Sequence, residues 1–349
     1  MHLDNAFILK MKRYWSEQQI QSLQKLIIDA RNVAITCHLS PDGDAIGSSL
    51  ALYHVLRKIG KNVRVIVPDQ IPKSLSFLPG WKNVIVYSIS KVQAERAVAE
   101  SDLIFCLDFN DLYRLDNLSH VIEAAQGAKV MIDHHLNPSE FADLTISEPL
   151  MSSTCELLYR VLADLGLAGR MLGKVGATCI FTGMMTDTGN FTYNSSDPEI
   201  YEIVAELCRQ GIDKESIYNA AMNTNSADQL RLNGYALYDK LKLWTDKHAA
   251  LITLDKKELQ RFNYRKGDTE GLVNKPLTIP DIFWVAFLRE DEKYIKVSMR
   301  SRGDFDVSKM CNAHFNGGGH KNAAGGEFYG TMEECVALFE HLVNTYTFK

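Results

Sequence analysis

Along the chain, short apolar runs alternate with longer stretches in which apolar residues recur every three or four positions. The opening stretch, Trp15 to Ala30, spaces Ile20, Leu23, Ile27 and Ile28 at helical intervals. VAITCH (33–38) then reads as a buried strand ending in polar residues, Ala45 to Ile59 as a helix, and NVRVIV (62–67) as the next strand. DLIFCLD (102–108) and AKVMID (128–133) repeat the form. Buried strands alternating with helices predict a parallel α/β sheet. Such sheets bind ligands beyond the carboxyl ends of their strands. Three of those ends carry polar clusters: HLSPDGD after the first strand, Asp108 after a later one, and DHH after the next.

Helical segments follow at 153–166 and 172–185 and lead into TDTGNF (186–191). Ser196 or Asp197, before Pro198 and Glu199, gives a capping signal for a further helix. From about 197 to 245 the pattern is mainly helical and polar, the character of a connector. Beyond it HAALITL (248–254), DIFWVAFLRE (281–290) and YIKVSMRS (294–301) are strand-like, and 307–315 and 332–346 are helical. The expected organisation is an α/β domain with a parallel sheet over 1–196, a helical connector over 197–245, and a smaller α/β domain over 246–349. The active site is expected in the cleft between the two.

Composition changes this picture little but narrows the function. Of 349 residues, 46% are apolar and 23% charged, values of a globular protein with real cores. The formal net charge is −5, from 38 basic and 43 acidic residues, so the basic excess of a long-duplex binder is missing. A small anionic substrate stays open, because bound divalent cations reverse the local field. Seven cysteines (37, 106, 155, 179, 208, 311 and 335) are odd in number and scattered without a CxxC pair, which suits a reducing compartment. MHLDNAFILKMKRYW lacks the apolar stretch and cleavage site of a signal peptide, and no run approaches the roughly 20 apolar residues that span a bilayer. A cytoplasmic protein with no membrane partner is expected.

The polar clusters carry the candidate chemistry. In HLSPDGDAIGS, Pro41 and Gly43 turn the loop tightly, so that His38, Asp42 and Asp44 converge. The bland alternative is a helix cap, with Asp44 before Ala-Ile-Gly as a serviceable one. DHH at 133–135 shifts the balance, since imidazole with carboxylate is the donor mixture that suits Mn, Fe, Co or Zn. An aspartate beside a ligating histidine also holds its second ring nitrogen. Asp187, at the end of an apolar helix between Gly183 and Gly189, is a fourth acidic position or a simple turn residue.

Taken in order, HxxxDGDAIGS, LDFNDLYRL, DHH and TDTGNF resemble the DHH phosphoesterase superfamily. FNGGGHKNAAG (315–325) resembles the glycine-rich motif of its associated C-terminal domain. The motifs span residues 38 to 325, and the chain looks most like the group of bifunctional oligoribonucleases and 3′-phosphoadenosine-5′-phosphate phosphatases. The resemblance implies that His38, Asp42 and Asp108 hold one divalent ion. Asp44, Asp108, His134 and Asp187 would hold a second, with Asp108 bridging. It further implies His135 facing the substrate phosphate, Asp133 supporting the histidine pair, and Arg114 as a structural or phosphate-contacting residue. Manganese is the expected ion, with magnesium, cobalt and zinc also suited.

In the second domain, backbone N–H groups of Gly317, Gly318 and Gly319 suit an anion at close range, aided by His320 and by Arg300 or Arg302. The bland reading is a glycine turn between helix and strand. Short RNA oligonucleotides, dinucleotides or nucleoside bisphosphates are the expected partners, because no extended basic groove with interleaved aromatics is visible. Competing readings are a cyclic or linear dinucleotide phosphodiesterase, a RecJ-like single-strand exonuclease, a pyrophosphatase, and a non-enzymatic nucleotide sensor. A homodimer is compatible with the sequence, which carries no signal for one.

Overall fold

The continuous apolar runs of the first two-thirds of the chain fold side by side as a six-stranded sheet in which every pair is parallel. In the computed structural model, which describes residues 11–346, its strands are β1 (Asn32–Cys37), β2 (Asn62–Val67), β3 (Ile85–Val86), β4 (Leu103–Leu107), β5 (Ala128–Asp133) and β6 (Leu144–Ser147). Their spatial order is β3-β2-β1-β4-β5-β6. Residues 1–10, most of the stretch read above for a leader peptide, lie outside the described residues.

Helices α1 (Glu17–Asp29), α2 (Gly43–Lys58), α3 (Lys91–Ala99), α4 (Ser119–Ala124), α5 (Thr154–Asp164), α6 (Gly173–Asp187), α7 (Pro198–Arg209) and α8 (Lys214–Met222) complete this unit. Alternate strand residues enter two cores. Val33, Ile35, Val65, Phe105 and Val130 join the cluster containing residues of α1, α2, α5 and α6. Ala34, Ile66, Ile104, Cys106 and Met131 join the one containing Ala94 and Val98 of α3 and Ile122 of α4. With both faces covered, the strands read as unbroken apolar runs. The strand order reverses direction between β1 and β4, so their carboxyl ends flank the crevice where an open α/β sheet takes its ligand. His38 follows β1 and Asp108 follows β4.

The chain divides into two compact units between Thr224 and Asn225. Helices α7 and α8 belong to the first unit, where Ile200, Ile203, Leu207 and Ile217 enter its core. The second unit opens with α9 (Ala227–Tyr238), whose Leu232 and Ala236 pack in that unit. It continues as β7 (Lys242–Trp244), β8 (Ala249–Leu254), α10 (Lys256–Arg261), β9 (Trp284–Glu290), β10 (Ile295–Ser301), α11 (Val307–His314), β11 (Gly318–His320), β12 (Ala323–Phe328) and α12 (Met332–Thr345). These strands form a sheet ordered β11-β12-β10-β9-β8-β7, with β8 and β9 parallel and the other pairs antiparallel. Residues 318–320, read above as turn or anion loop, are thus an edge strand. No described helix is long and apolar enough to cross a membrane.

Candidate metal centre

Turn chemistry at the end of β1 builds the first part of the site. Asp42 caps α2, its Oδ1 accepting the amides of Asp44 and Ala45, both at 3.0 Å. The cap is therefore Asp42 rather than Asp44, and its Oδ2 is left over, 3.7 Å from His38 Nε2. Asp44 sits in the first turn, buried between α2 and α6. Gly43, Gly47 and Gly183 make that burial possible. A Cβ on Gly47 would stand 2.6 Å from the Cys179 carbonyl, and one on Gly183 would stand 2.8 Å from Asp44 Oδ1. Glycine lets α2 and α6 approach until Asp44 and Asp187, the last residue of α6, meet one histidine.

Asp108 leaves β4 with φ 65°, a left-handed conformation that costs an aspartate about 1 kcal/mol, and is 2% exposed. Its two oxygens face opposite partners. Oδ2 lies 3.4 Å from His38 Nε2, and Oδ1 lies 3.7 Å from His134 Nε2. His134 Nε2 also stands 3.3 Å from Asp187 Oδ2 and 4.0 Å from Asp44 Oδ2. Three three-donor groups result, His38–Asp42–Asp108, Asp44–His134–Asp187 and Asp108–His134–His135, and Asp108 reaches toward His38 on one side and His134 on the other.

The donor set fits divalent cations on three counts. Donors about 2.1 Å from a shared ion stand roughly 3–3.5 Å apart, close to the shortest spacings here. The Nδ1 of each predicted histidine ligand is committed to a backbone carbonyl, His38 to Leu39 O at 2.8 Å and His134 to Met151 O at 3.2 Å. Because a carbonyl only accepts, Nδ1 carries a proton and Nε2 is the atom that faces the carboxylates, so an ion that displaces any Nε2 proton meets the tautomer it requires. Third, the carboxylates are starved of positive charge. Burial, then Asp108, pushes Asp44 up to about 8; burial, then Asp44, pushes Asp187 to about 7; and burial with Asp42 holds Asp108 far above its usual range. For His134, burial opposes protonation, yet Asp44, Asp108 and Asp187 outweigh it and raise the ring to about 9.

His135 Nδ1 lies 3.8 Å from Asp108 Oδ1, but that nitrogen is engaged elsewhere. Asp133 binds His135 twice, Oδ1 taking Nδ1–H at 2.7 Å and Oδ2 the backbone amide at 3.1 Å. Asp133 therefore supports His135, whereas His134 is held by Met151. Arg114 is half-buried, and its side chain makes no hydrogen bond or ion pair among the described residues. Its carbonyl accepts Leu39 N–H at 2.8 Å, which ties the loop after Asp108 to the loop after His38.

In the second unit the candidate residues differ in character. A Cβ on Gly317 would lie 2.0 Å from Gly325 O and one on Gly319 2.6 Å from Ala323 O, so packing against β12 demands both glycines. Around Gly318 nothing lies within 4 Å of a Cβ. Arg300 donates to Met299 O at 2.9 Å, makes no ion pair among the described residues, and has its pKa lowered by burial. Arg302 is committed locally. Its Nη2 donates to the carbonyls of Ile279, Pro280 and Ile282, and its guanidinium lies 5.0 Å from the Phe283 ring centre. The side chain of His320 lies outside the described residues.

Sequence reading missed Thr154. Its hydroxyl donates to Asp108 Oδ1 at 2.9 Å, and the only local sign is the cap Ser153, whose side chain accepts from Glu156.

Comparison with known proteins agrees with this geometry. The family model "DHH family, N-terminal domain" matches residues 32–184, and "DHHA1 domain" matches 249–346. The chain is similar to the bifunctional oligoribonuclease and PAP phosphatase NrnA of Bacillus subtilis, at 29% identity over 84% of this chain and 88% of that protein. It is 26% identical to the cyclic-di-AMP phosphodiesterase PdeA of Listeria monocytogenes, over 87% of this chain and 46% of that one. The crystal structure of an exopolyphosphatase-related protein from Bacteroides fragilis superposes with a TM-score of 0.93 at 48% identity, covering 96% of this chain and 98% of the other. With both domain models matched in order, and a histidine–carboxylate cluster on the carboxyl edge of the first sheet, the chain belongs to the DHH family and carries a DHHA1 domain.

Proposed function

We propose that this protein is a metal-dependent phosphoesterase that hydrolyses short oligoribonucleotides to mononucleotides and removes the 3′-phosphate of 3′-phosphoadenosine-5′-phosphate. The observation that carries the reading is the pair of histidine–carboxylate trios with Asp108 turned toward both. His38, Asp42 and Asp108 would hold one divalent ion; Asp44, Asp108, His134 and Asp187 would hold the other, with manganese the preferred metal. When bound, such a pair supplies a water of lowered pKa and positive charge for the phosphate oxygens. The chain's own contribution is orientation. Asp133 fixes the His135 ring through Nδ1, leaving Nε2 for a phosphate oxygen of the substrate. Arg114, whose side chain has no hydrogen bond or ion pair among the described residues, offers a second cationic contact.

The second domain offers candidate anion contacts of its own. Gly318 leaves room for an anion against the backbone, and Arg300 is a partly desolvated guanidinium that makes no ion pair among the described residues. The net charge of −5 supports short substrates over long strands. Likeness to PdeA supports a second reading, a cyclic or linear dinucleotide phosphodiesterase.

One panel separates them: metal-stripped protein restored with Mn²⁺ and offered a dinucleotide, a five-nucleotide RNA, a long single strand, 3′-phosphoadenosine-5′-phosphate, a cyclic dinucleotide, pyrophosphate and a short polyphosphate. Mononucleotides from the short RNAs and phosphate from the bisphosphate are expected, with Asp108→Ala and His134→Ala both folded and inactive. Preference for the cyclic compound moves the function to the second reading. No hydrolysis by folded, metal-loaded protein leaves a nucleotide-binding sensor and overturns the proposal.

A further inference from the structure

One short segment touches the candidate ligands of three separate elements without being a ligand itself. It runs from Met151 to Cys155, where the chain comes off β6 and starts α5. The Met151 carbonyl accepts from His134 Nδ1 at 3.2 Å. The first amides of α5 close on Asp44 from above both oxygens, Thr154 N–H on Oδ2 at 2.6 Å and Cys155 N–H on Oδ1 at 2.8 Å. The Thr154 hydroxyl reaches the strained Asp108, donating to Oδ1. These amides are the orphan donors of a helix start, so an aspartate from residue 44 completes the termination of a helix at residue 154.

The segment is clamped from behind by buried charge. Glu156 Oε2 accepts both Ser152 N–H at 2.8 Å and Ser152 Oγ–H at 2.6 Å, while Glu156 N–H donates to Ser153 Oγ at 3.0 Å. Arg160, 1% exposed, pairs with Glu156 Oε1 through Nε at 2.9 Å and Nη2 at 2.6 Å, and with Glu199 at the start of α7. Glu156, also 1% exposed, is thus saturated. A fully bonded buried pair of this kind is costly to rearrange, and Glu156 Oε2 spends both its bonds on Ser152, in the turn that touches the ligands.

We propose that Met151–Cys155 is the positioning element of the metal centre, and that Thr154 is its key positioning residue, setting the carboxylate orientations of Asp44 and Asp108 before any ion arrives. The proposal rests on reading the cluster as a metal site. Thr154 contacts no substrate; it acts through Asp108. Its hydroxyl takes one lone pair of Oδ1 and leaves the other for an ion. Without that donor the Asp108 carboxylate is free to rotate about χ2, and the residue turned toward both trios loses its fixed geometry.

The test compares Thr154→Val, which keeps the shape and removes the donor, with Thr154→Ser, which keeps the donor and removes a methyl. Mn²⁺ binding is followed by titration calorimetry on metal-stripped protein, alongside the melting temperature of the stripped form. Thr154→Val is expected to bind Mn²⁺ about 10–100-fold more weakly, the range for lost support of a ligand. Thr154→Ser is expected to stay within about threefold of the parent, since a single donor bond is retained. Equal affinity for Thr154→Val and parent would overturn the proposal, as would weakening of Thr154→Ser to the level of Thr154→Val. If Thr154→Val does not fold, Thr154→Ala removes the same hydroxyl with less bulk and is read the same way. A parent protein that takes up no Mn²⁺ would instead fail the metal-site reading, so the two failures are distinguishable.

Discussion

At single positions the glycine run of the second domain separates packing from binding. Gly317 has the Gly325 carbonyl where a side chain would go, and Gly318 has open space. An alanine at 317 collides with backbone and is expected to lower stability; an alanine at 318 is expected to leave the melting temperature unchanged while raising the KM for a dinucleotide about tenfold, near 1.4 kcal/mol of lost contact. Steady-state kinetics beside a thermal melt checks this, and an unchanged KM for Gly318→Ala removes that backbone from the binding surface. Sequence showed three glycines and could not rank them, because the atoms that crowd Gly317 belong to a strand eight residues later. Arg302 repeats the lesson. Its charge made it a phosphate candidate, but its Nη2 is committed to three carbonyls around residue 280.

Among elements, the contact that decides the site is α2 against α6. Gly47 lets the two backbones meet, and Asp44 and Asp187 ride on the paired helices. Gly47→Ala is expected to destabilise the protein by about 1–3 kcal/mol, the usual range for overpacking, with weaker Mn²⁺ uptake. Gly234→Ala, where α9 leaves open space, should be neutral or slightly stabilising. Denaturant melts of the two variants distinguish local crowding from a general glycine effect. Buried strands and the helix ending at Asp187 were legible because long apolar runs stop abruptly at polar residues. The helix packing was not, since Gly47 meets Cys179 across more than a hundred residues. Strands β3 and β6 are too short to show a period, and β11 is mostly glycine and shows none.

For the molecule as a whole, the buried cluster makes stability depend on pH and on metal together. Asp44 at about 8 and Asp187 at about 7 titrate well above the carboxylate range of an unfolded chain, and His134 at about 9 lies above an ordinary histidine. All three shifts are upward, so the metal-free folded state holds more protons than the unfolded one. Its stability is then fully present below about pH 4 from these groups and is lost as pH rises through 7 to 9. Metal-free protein is expected to melt about 2–4 °C lower at pH 9 than at pH 6, a shift of roughly 1–2 kcal/mol for the unit that holds the cluster. Saturating Mn²⁺ should abolish most of that difference, because the ion replaces the protons; a flat metal-free profile would show that the carboxylates are neutralised in some other way.

The candidate ligands are strung from residue 38 to residue 187, on the loop after β1, the first turn of α2, the ends of β4 and β5 and the last turn of α6. During synthesis, the trio built on His38, Asp42 and Asp108 has all its members once β4 has emerged. The trio that needs Asp187 must wait for three further helices, α4, α5 and α6. An unfolded chain scatters these groups over a coil whose loop-closure entropy opposes gathering them. Ion occupancy therefore reports on completed topology, and a truncated nascent chain carries half a centre at most.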